Sequence, residues 1–273
     1  MTRKSLILFS GLAFLTLSFG QSNDHPDSDG KDHVVQLRAL PHAAFKAGEK
    51  LTYVVHYGFV NAGLAQLELK ETDVEFQGRR MLHAVGTGKS IGAFNTFYKV
   101  DDRYESYFDS IGVFPWAFKR SVDEGGYTFN QDYIFLQHRA EVTTQEKKTF
   151  KIPAHTQDMI SAFYFARTLD FGSAATGDIF TIDCFLDNEH WPLQMKVVGR
   201  ETIKLRNGKF KCIKFQPIVQ EGRVFKTNDD LNVWVTDDGN HIPVLAQAKV
   251  LVGSIKMELS GYSGLAHPIA KVD

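Results

Sequence analysis

From Phe45 to Tyr262 apolar side chains recur at every second position in segment after segment, the period of a β-strand with one face buried and one face wet. Leu51, Tyr53, Val55 and Tyr57 alternate in this way within Lys50–Phe59. After a turn at Asn61-Ala62-Gly63, Ala65, Leu67 and Leu69 alternate with Gln66, Glu68 and Lys70, so the two segments are predicted to pair as a hairpin. Gln77-Gly78 marks the next turn, ahead of a strand over Arg80–Thr87. Thr96–Phe108 reads as one long strand, with Tyr98, Val100, Tyr104 and Phe108 on one face and Lys99, Asp101, Arg103 and Glu105 on a solvated one. Strands over Phe114–Val122, Tyr127–Phe135 and His138–Thr144 continue the meander, with Glu124-Gly125-Gly126 as a turn.

The period then changes. Met159, Ile160, Phe163, Tyr164 and Arg167 fall at helical spacing, which predicts a helix over Met159–Leu169 with Thr156 as its N-cap and Asp158 against the positive end of its dipole. It is the one convincing helix beyond the N-terminal region. Strands resume at Ile179–Leu186 and Leu193–Val198, and Gly199–Tyr262 is a further antiparallel ladder. Within it Asn207-Gly208 predicts a type I′ turn, Asp237-Asp238-Gly239-Asn240 separates the strand of Val233, Trp234 and Val235 from one over Val244–Val252, and Gly253-Ser254 marks another reversal. About a dozen strands and one helix predict a mainly β fold: a strongly curved antiparallel sheet or incomplete barrel with one accessory helix, because a flat sheet of that size leaves long edges exposed.

The ends of the chain follow other rules. Arg3-Lys4 precede the apolar run Leu6–Phe19, and small residues at Ser18 and Gly20 precede a polar segment. This is the pattern of a secretory signal peptide cleaved after Gly20. The run is about 14 residues, short of the ~20 that span a bilayer, and no Cys follows it to carry a lipid anchor. The expected organisation is a signal peptide over 1–20, a flexible lead-in over 21–44 rich in Asp, His and Ser, a single β domain over 45–262 and a tail over 263–273. No transmembrane segment is expected after cleavage, and the expected location is periplasmic or secreted.

A composition that is 43% hydrophobic and 12% aromatic is ample for one large core, and a net charge of -1 removes the electrostatic case for a nucleic-acid partner. Export permits the two cysteines, Cys184 and Cys212, to pair and does not require it. Cys184 alternates with Phe180, Ile182 and Leu186, where it also reads as a small buried hydrophobe.

One ordered set of short motifs extends across the domain. It comprises Phe45-Lys46-Ala47-Gly48-Glu49-Lys50-Leu51-Thr52-Tyr53, Tyr57-Gly58, Ala62-Gly63, Tyr98-Lys99-Val100-Asp101-Asp102 and Glu124-Gly125. Thr156-Gln157-Asp158 follows, then Gly208-Lys209-Phe210 ahead of Pro217, and Val233-Trp234-Val235-Thr236-Asp237-Asp238 ahead of Ile242-Pro243-Val244. In order and spacing these resemble an exported bacterial family known as domain of unknown function three-one-zero-eight, over nearly all of Phe45–Tyr262. The resemblance implies an envelope or secreted β-protein and brings no activity and no catalytic residues with it.

The chemistry-bearing motifs narrow the function further. Gly86-Thr87-Gly88-Lys89-Ser90 ends like a phosphate loop, but His83 stands where the first Gly is needed and a strand rather than a helix is expected to follow. The ten histidines show no metal-ligand spacing, and no Gly-x-Ser-x-Gly elbow occurs, so no metal, cofactor or serine nucleophile is expected. Asp102 shares its parity with Tyr98, Val100 and Tyr104, which draws it inward, where Arg120 or Lys119 on a neighbouring strand could pair with it. Carboxylates such as Asp102, Asp237 and Asp238 are the only credible catalytic groups. Phe94, Tyr98, Tyr104, Trp116 and Phe118 crowd one short stretch, as core filling or as the lining of a site for a lipid or other apolar ligand. The leading expectation is a non-enzymatic, exported, envelope-associated binding protein. The alternatives are a periplasmic hydrolase working through carboxylates and a purely structural interaction module. Intact-mass analysis of protein recovered from its native host should place Gln21, or a close neighbour, at the mature N-terminus; bulk soluble protein that retains Met1 would rule export out.

Overall fold

The computed structural model describes residues 35–218, 231–249 and 253–272. The chain first runs as a meander of β1 (Lys50–Tyr57), β2 (Val60–Phe76), β3 (Arg79–Ser90), β4 (Asp101–Asp109), β5 (Pro115–Glu124), β6 (Tyr127–Leu136), β7 (Glu141–Thr144) and β8 (Thr149–Lys151). A short helix α1 (Gly92–Phe97) interrupts the β3–β4 connection. The buried helix α2 (Met159–Ala166) leads to a second meander of β9 (Ile179–Leu186), β10 (Glu189–Leu205), β11 (Gly208–Ile218), β12 (Leu231–Thr236), β13 (Pro243–Lys249) and β14 (Ser254–Ser263). β14 pairs antiparallel with β1, so the two meanders form one 15-stranded antiparallel sheet, with β15 (Lys271–Val272) added on β11.

The sheet curls without closing. Its last strands, β8 and β9, share no ladder; the β9 edge instead bonds the backbone of Gln157, whose amide donates to Asp183 O and whose carbonyl accepts from Phe185, both at 2.8 Å. Side chains complete the seam. Phe185 sets its ring against Tyr133, Phe135 and Phe150 at 5.1, 6.4 and 5.4 Å, so the halves meet through aromatic packing rather than through main-chain bonds.

α2 lies in the concavity, against β3, β4 and β9, and all residues from Met159 to Tyr164 are buried. A helix apolar all round belongs inside a core. Its N-cap is Asp158 rather than Thr156: Asp158 Oδ1 accepts from the amides of Ile160 and Ser161 at 2.7 Å, and Ser161 Oγ accepts from the Asp158 amide at 2.9 Å. Thr156 turns back to donate to Pro153 O at 2.7 Å. At the other end of α2, Arg167 is buried and bidentate on buried Glu49 at 2.6 and 2.7 Å. It also donates from Nε to Asn240 O at 2.8 Å and from Nη2 to Ala44 O at 3.0 Å, with its guanidinium 5.4 to 5.5 Å from the rings of Phe45, Phe163 and Tyr164.

Several local expectations change in the structure. The strand predicted from Thr96 starts at Asp101, because Gly92 at φ 57 turns the chain into α1 and Ser90 Oγ, accepting from the Val100 amide at 2.8 Å, ties the loop shut behind it. The hairpin at Asn207-Gly208 forms with Arg206-Asn207 at its tip, and positive φ falls on Gly208 alone, so it is no type I′ turn. Positive φ at both central residues is found instead at Gln77-Gly78, Gly125-Gly126 and Asp187-Asn188. Residues 35–44 are strapped down through Arg38, which donates to Gly112 O at 2.6 Å and Val113 O at 2.8 Å and lies 4.2 Å over Phe165. The C-terminal segment, expected as a tail, forms β15. Cys184 and Cys212 are free, buried thiols. They face Trp191 and Glu201 on the intervening β10, about 30 Å apart along the strand, far beyond the ~7 Å limit between Cα atoms of a disulfide.

Arg167→Met should destabilise the fold by about 3–5 kcal/mol, because it strands the Glu49 carboxylate in an apolar core. Glu49→Leu combined with Arg167→Met should recover most of that loss in urea denaturation; a double variant no better than the single one would show that the pair is not the source of the effect.

Candidate functional site

Among the described residues the most unusual chemistry lies on the concave face near one end of the sheet. The β1–β2 turn, α1, the Gly125-Gly126 turn and the Asp187-Asn188 turn all stand at that end. The pairing register builds an inner row of Tyr104, Arg120 and Gln131 across β4, β5 and β6, with Asp102 one step nearer the end and Glu124 bridged through its backbone to Val100. Alternation therefore aims Asp102, Arg120, Glu124 and Gln131 into the concavity, and all are buried.

Asp102 and Glu124 form an acid pair. Burial, then the Glu124 charge and the hydrogen bond between the two, push Asp102 up to about 8. Burial raises Glu124 as well, against the opposing pull of the Asp102 hydrogen bond and of Arg120. Below about pH 8 Asp102 keeps a proton that it can donate to Glu124, while Asp102 Oδ1 accepts from the Asp123 amide at 3.1 Å. Arg120 is buried, yet its ion pair reaches across the seam to Asp187 at 2.6 Å rather than to Asp102. Arg120 Nε and Gln131 Oε1 have no partner, and the guanidinium lies 4.8 Å over Phe129. Beside Asp187, Tyr133 Oη donates to Asn188 Oδ1 and accepts from the Asn188 amide, both at 3.0 Å.

Gly125 is required here twice over. It has φ 58, and a Cβ on it would stand 2.5 Å from the ring of Tyr98, the half-buried residue that covers the Glu124 turn. Phe94 sets an edge against Tyr98 at 6.4 Å. Tyr104 and Phe118 are packed in the main core at 2% and 1% exposure, too enclosed to line a space that holds even water. Trp116 belongs elsewhere, in a separate cluster with Met81, Phe114, Leu37, Phe76 and Tyr107. A bulge at Tyr107/Phe108 takes it out of the alternation that the sequence pattern implies. Of the five aromatics singled out from sequence, Phe94 and Tyr98 are thus the two at the open end and only partly buried. Around them Tyr57 is half-buried, and Phe59, Val60 and Phe97 are exposed, so this end presents apolar surface to solvent.

Asp237 and Asp238 stand at the opposite end. Asp238 is a turn organiser that accepts from Thr236 Oγ1, the Asn240 amide and Nδ2, and the Ala270 amide, while Asp237 pairs with Arg200 at 3.4 Å. Neither reaches Asp102. No group of three or more His, Cys, Asp or Glu side chains among the described residues could hold a metal ion, and no helix there is long and apolar enough to cross a membrane. Sequence reasoning missed Glu124, Gln131, Asp187 and Asn188. Glu124, Asp187 and Asn188 sit at turns, where polar residues read as solvated, and Gln131 was legible only through its parity with Tyr133 and Phe135.

A family model described as "Protein of unknown function (DUF3108)" matches residues 52–260. No curated protein matches the chain. The fold is similar to the crystal structure of a beta-barrel-like protein of domain of unknown function DUF1849 from Brucella abortus, at 7% identity and a TM-score of 0.50, over 81% of this chain and 98% of that one. A DUF1089 family protein from Pseudomonas aeruginosa superposes at 9% identity and a TM-score of 0.37, over 66% and 87% of the two chains. The lipoprotein LppX of Mycobacterium tuberculosis does so at 12% identity and a TM-score of 0.21, over 78% and 85%.

The raised acid makes a signed prediction. Between the ordinary carboxylate range and about 8 the folded chain holds a proton on Asp102 that the unfolded chain has lost, so this group's contribution declines as pH rises through that window. Asp102→Asn takes up no proton, and its stability relative to the parent should improve from pH 4 to pH 8, with a slope of at most about 1.4 kcal/mol per pH unit. Denaturant midpoints at several pH values measure it. A gap that does not change with pH would show that Asp102 titrates normally.

Proposed function

The chain belongs to the DUF3108 family of proteins of unknown function, and from that premise we propose that it acts outside the cytoplasm as a non-enzymatic, envelope-associated protein that binds an amphiphile at the open end of its sheet. The observation that carries this reading is the apolar surface at that end. Phe59 and Phe97 are exposed at 106% and 87%, beside Tyr57, Phe94 and Tyr98, which are half-buried and continuous with the core. Solvated aromatics next to a core are a binding surface for apolar matter, because covering them recovers hydrophobic free energy that the fold alone leaves unused. Buried polar groups with unfilled hydrogen bonds, Arg120 Nε and Gln131 Oε1, lie behind that surface and suit a ligand with a polar head. The N-terminal apolar run and its small-residue cleavage pattern support the location.

A carboxylate hydrolase is the second reading, favoured by the Asp102–Glu124 pair. Against it, both acids are buried beside Tyr98, at 1% and 3% exposure, which closes them off from a substrate.

Protein exported by a bacterial host and purified without detergent should carry an extractable amphiphile by native mass spectrometry, and stripped protein should bind lysophospholipid saturably. Phe59→Ser with Phe97→Ser should weaken that binding by about 2 kcal/mol per ring or less, roughly thirtyfold each, and leave the melting midpoint unchanged because neither ring is in the core. Absence of both the extractable molecule and saturable binding would overturn the proposal. Glycan hydrolysis that vanishes in Glu124→Gln would establish the second reading instead.

A further inference from the structure

The Asp187-Asn188 turn, at the tip of the β9–β10 hairpin, is fastened to the first meander by two tethers of different kinds. One is the neutral pair of hydrogen bonds between Tyr133 and Asn188. The other is the ion pair between Arg120 and Asp187, and Arg120 also acts electrostatically on the acid pair beside it. Arg120 thus stands between two anionic groups and hydrogen-bonds Asp187, while its Nε–H stays buried and unused.

We propose that the Asp102–Glu124 pair is a proton-operated latch on the β9–β10 hairpin. While the two acids share a proton, Arg120 holds Asp187; when that proton leaves, Arg120 turns to the acids and the hairpin tip is left on its Tyr133 tether alone, loosened at the open end. The proposal deepens the binding reading, since it supplies a regulation for that same end, but its mechanics need no ligand.

Charge and burial set the direction. With one proton the pair carries one negative charge, which a neighbouring acid hydrogen disperses. Without it, two carboxylates face each other in a site shielded from water, and an arginine with a spare donor, whose charge already acts on Glu124, is able to neutralise them. Asp187 can spare its partner: its side chain is 42% exposed, so water solvates the charge that Arg120 abandons. The other charges around the acids are already engaged. Asp101 on β4 pairs with Lys89 on β3 at 3.3 Å, and Asp123 on β5 pairs with Lys99 at 3.2 Å. The hydroxyls facing the site stay protonated throughout, since burial, followed by the Glu124 and Asp102 charges, raises Tyr98, and burial raises Tyr133 far above its ordinary value. Within the range where Asp102 titrates, at about 8, only the Arg120 tether changes.

Hydrogen–deuterium exchange on the ligand-free mature chain tests this. Protection factors for the amides of Asp187–Trp191, corrected for the chemical exchange rate, should fall at least tenfold between pH 6 and pH 9. Those flanking the Gln77-Gly78 turn should not. Asp102→Asn with Glu124→Gln should abolish the change, and Asp102→Asn alone should do so if the double variant is too unstable to study. Asp187→Asn, in a position whose φ of 52 suits asparagine, should show the low protection already at pH 6. Equal protection of the parent at both pH values would overturn the latch. So would a pH response that persists in the neutral-acid variant, or an Asp187→Asn chain as protected as the parent at pH 6. Lysophospholipid binding is a separate measurement, so loss of either result leaves the other readable.

Discussion

The fold rests on one buried ion pair. Arg167 leaves the C-terminal end of α2 and meets Glu49 at the entrance to β1, Ala44 O in the segment before it, and Asn240 O in the turn between β12 and β13. Those contacts belong to both meanders, so one guanidinium fixes the helix against each half of the sheet at once. An arginine in an apolar interior is tolerated only when its donors are filled, and the planar fork fills them in one orientation alone. Consequently the helix has one seat in the concavity. The core then follows: Phe45 sets an edge to both Phe108 and Tyr164, which stack on each other, at 4.9 to 6.2 Å around that seat.

The two ends of the sheet divide the work. At the Arg167 end charges are paired, turns are organised by Asp238, and Asp109 gathers the Arg79 guanidinium with the amides of Ile111 and Gly112. At the other end an acid keeps a proton it would lose in water, and rings point outward. Rings left in water beside a core mark the end where a partner has the most to cover.

Much of the architecture was legible from period alone. The alternation of Leu51, Tyr53 and Val55 or of Ala65, Leu67 and Leu69 leaves one choice of face, and the inward parity of Asp102 could be read beside Val100 and Tyr104. What escaped was everything that depends on contacts between distant residues. Glu49 and Arg167 lie 118 positions apart, and nothing local in Gly48-Glu49-Lys50 marks that carboxylate as buried. Trp116 obeys the parity of Phe118 in sequence and breaks it in space, because one bulge shifts the register by a residue. The strap at Arg38 was hidden for a different reason: it is held by side chain to backbone carbonyls, a bonding mode without any periodic trace.

The separation of Cys184 and Cys212 bears on how the molecule comes into being. In the finished fold both thiols are buried, burial raises both above their ordinary value, and β10 stands between them, so oxidants find little thiolate to attack. The unfolded chain has no such protection. Its cysteines are 28 positions apart (212 − 184), a loop that closes readily, and a disulfide formed there would clamp two segments the native sheet must hold far from each other. Were the chain to mature in an oxidising compartment, maturation would therefore be a race. The second meander has to assemble before its thiols find one another, and a variant that slows β9–β11 pairing would accumulate as a covalently trapped chain, even with every native contact still encoded.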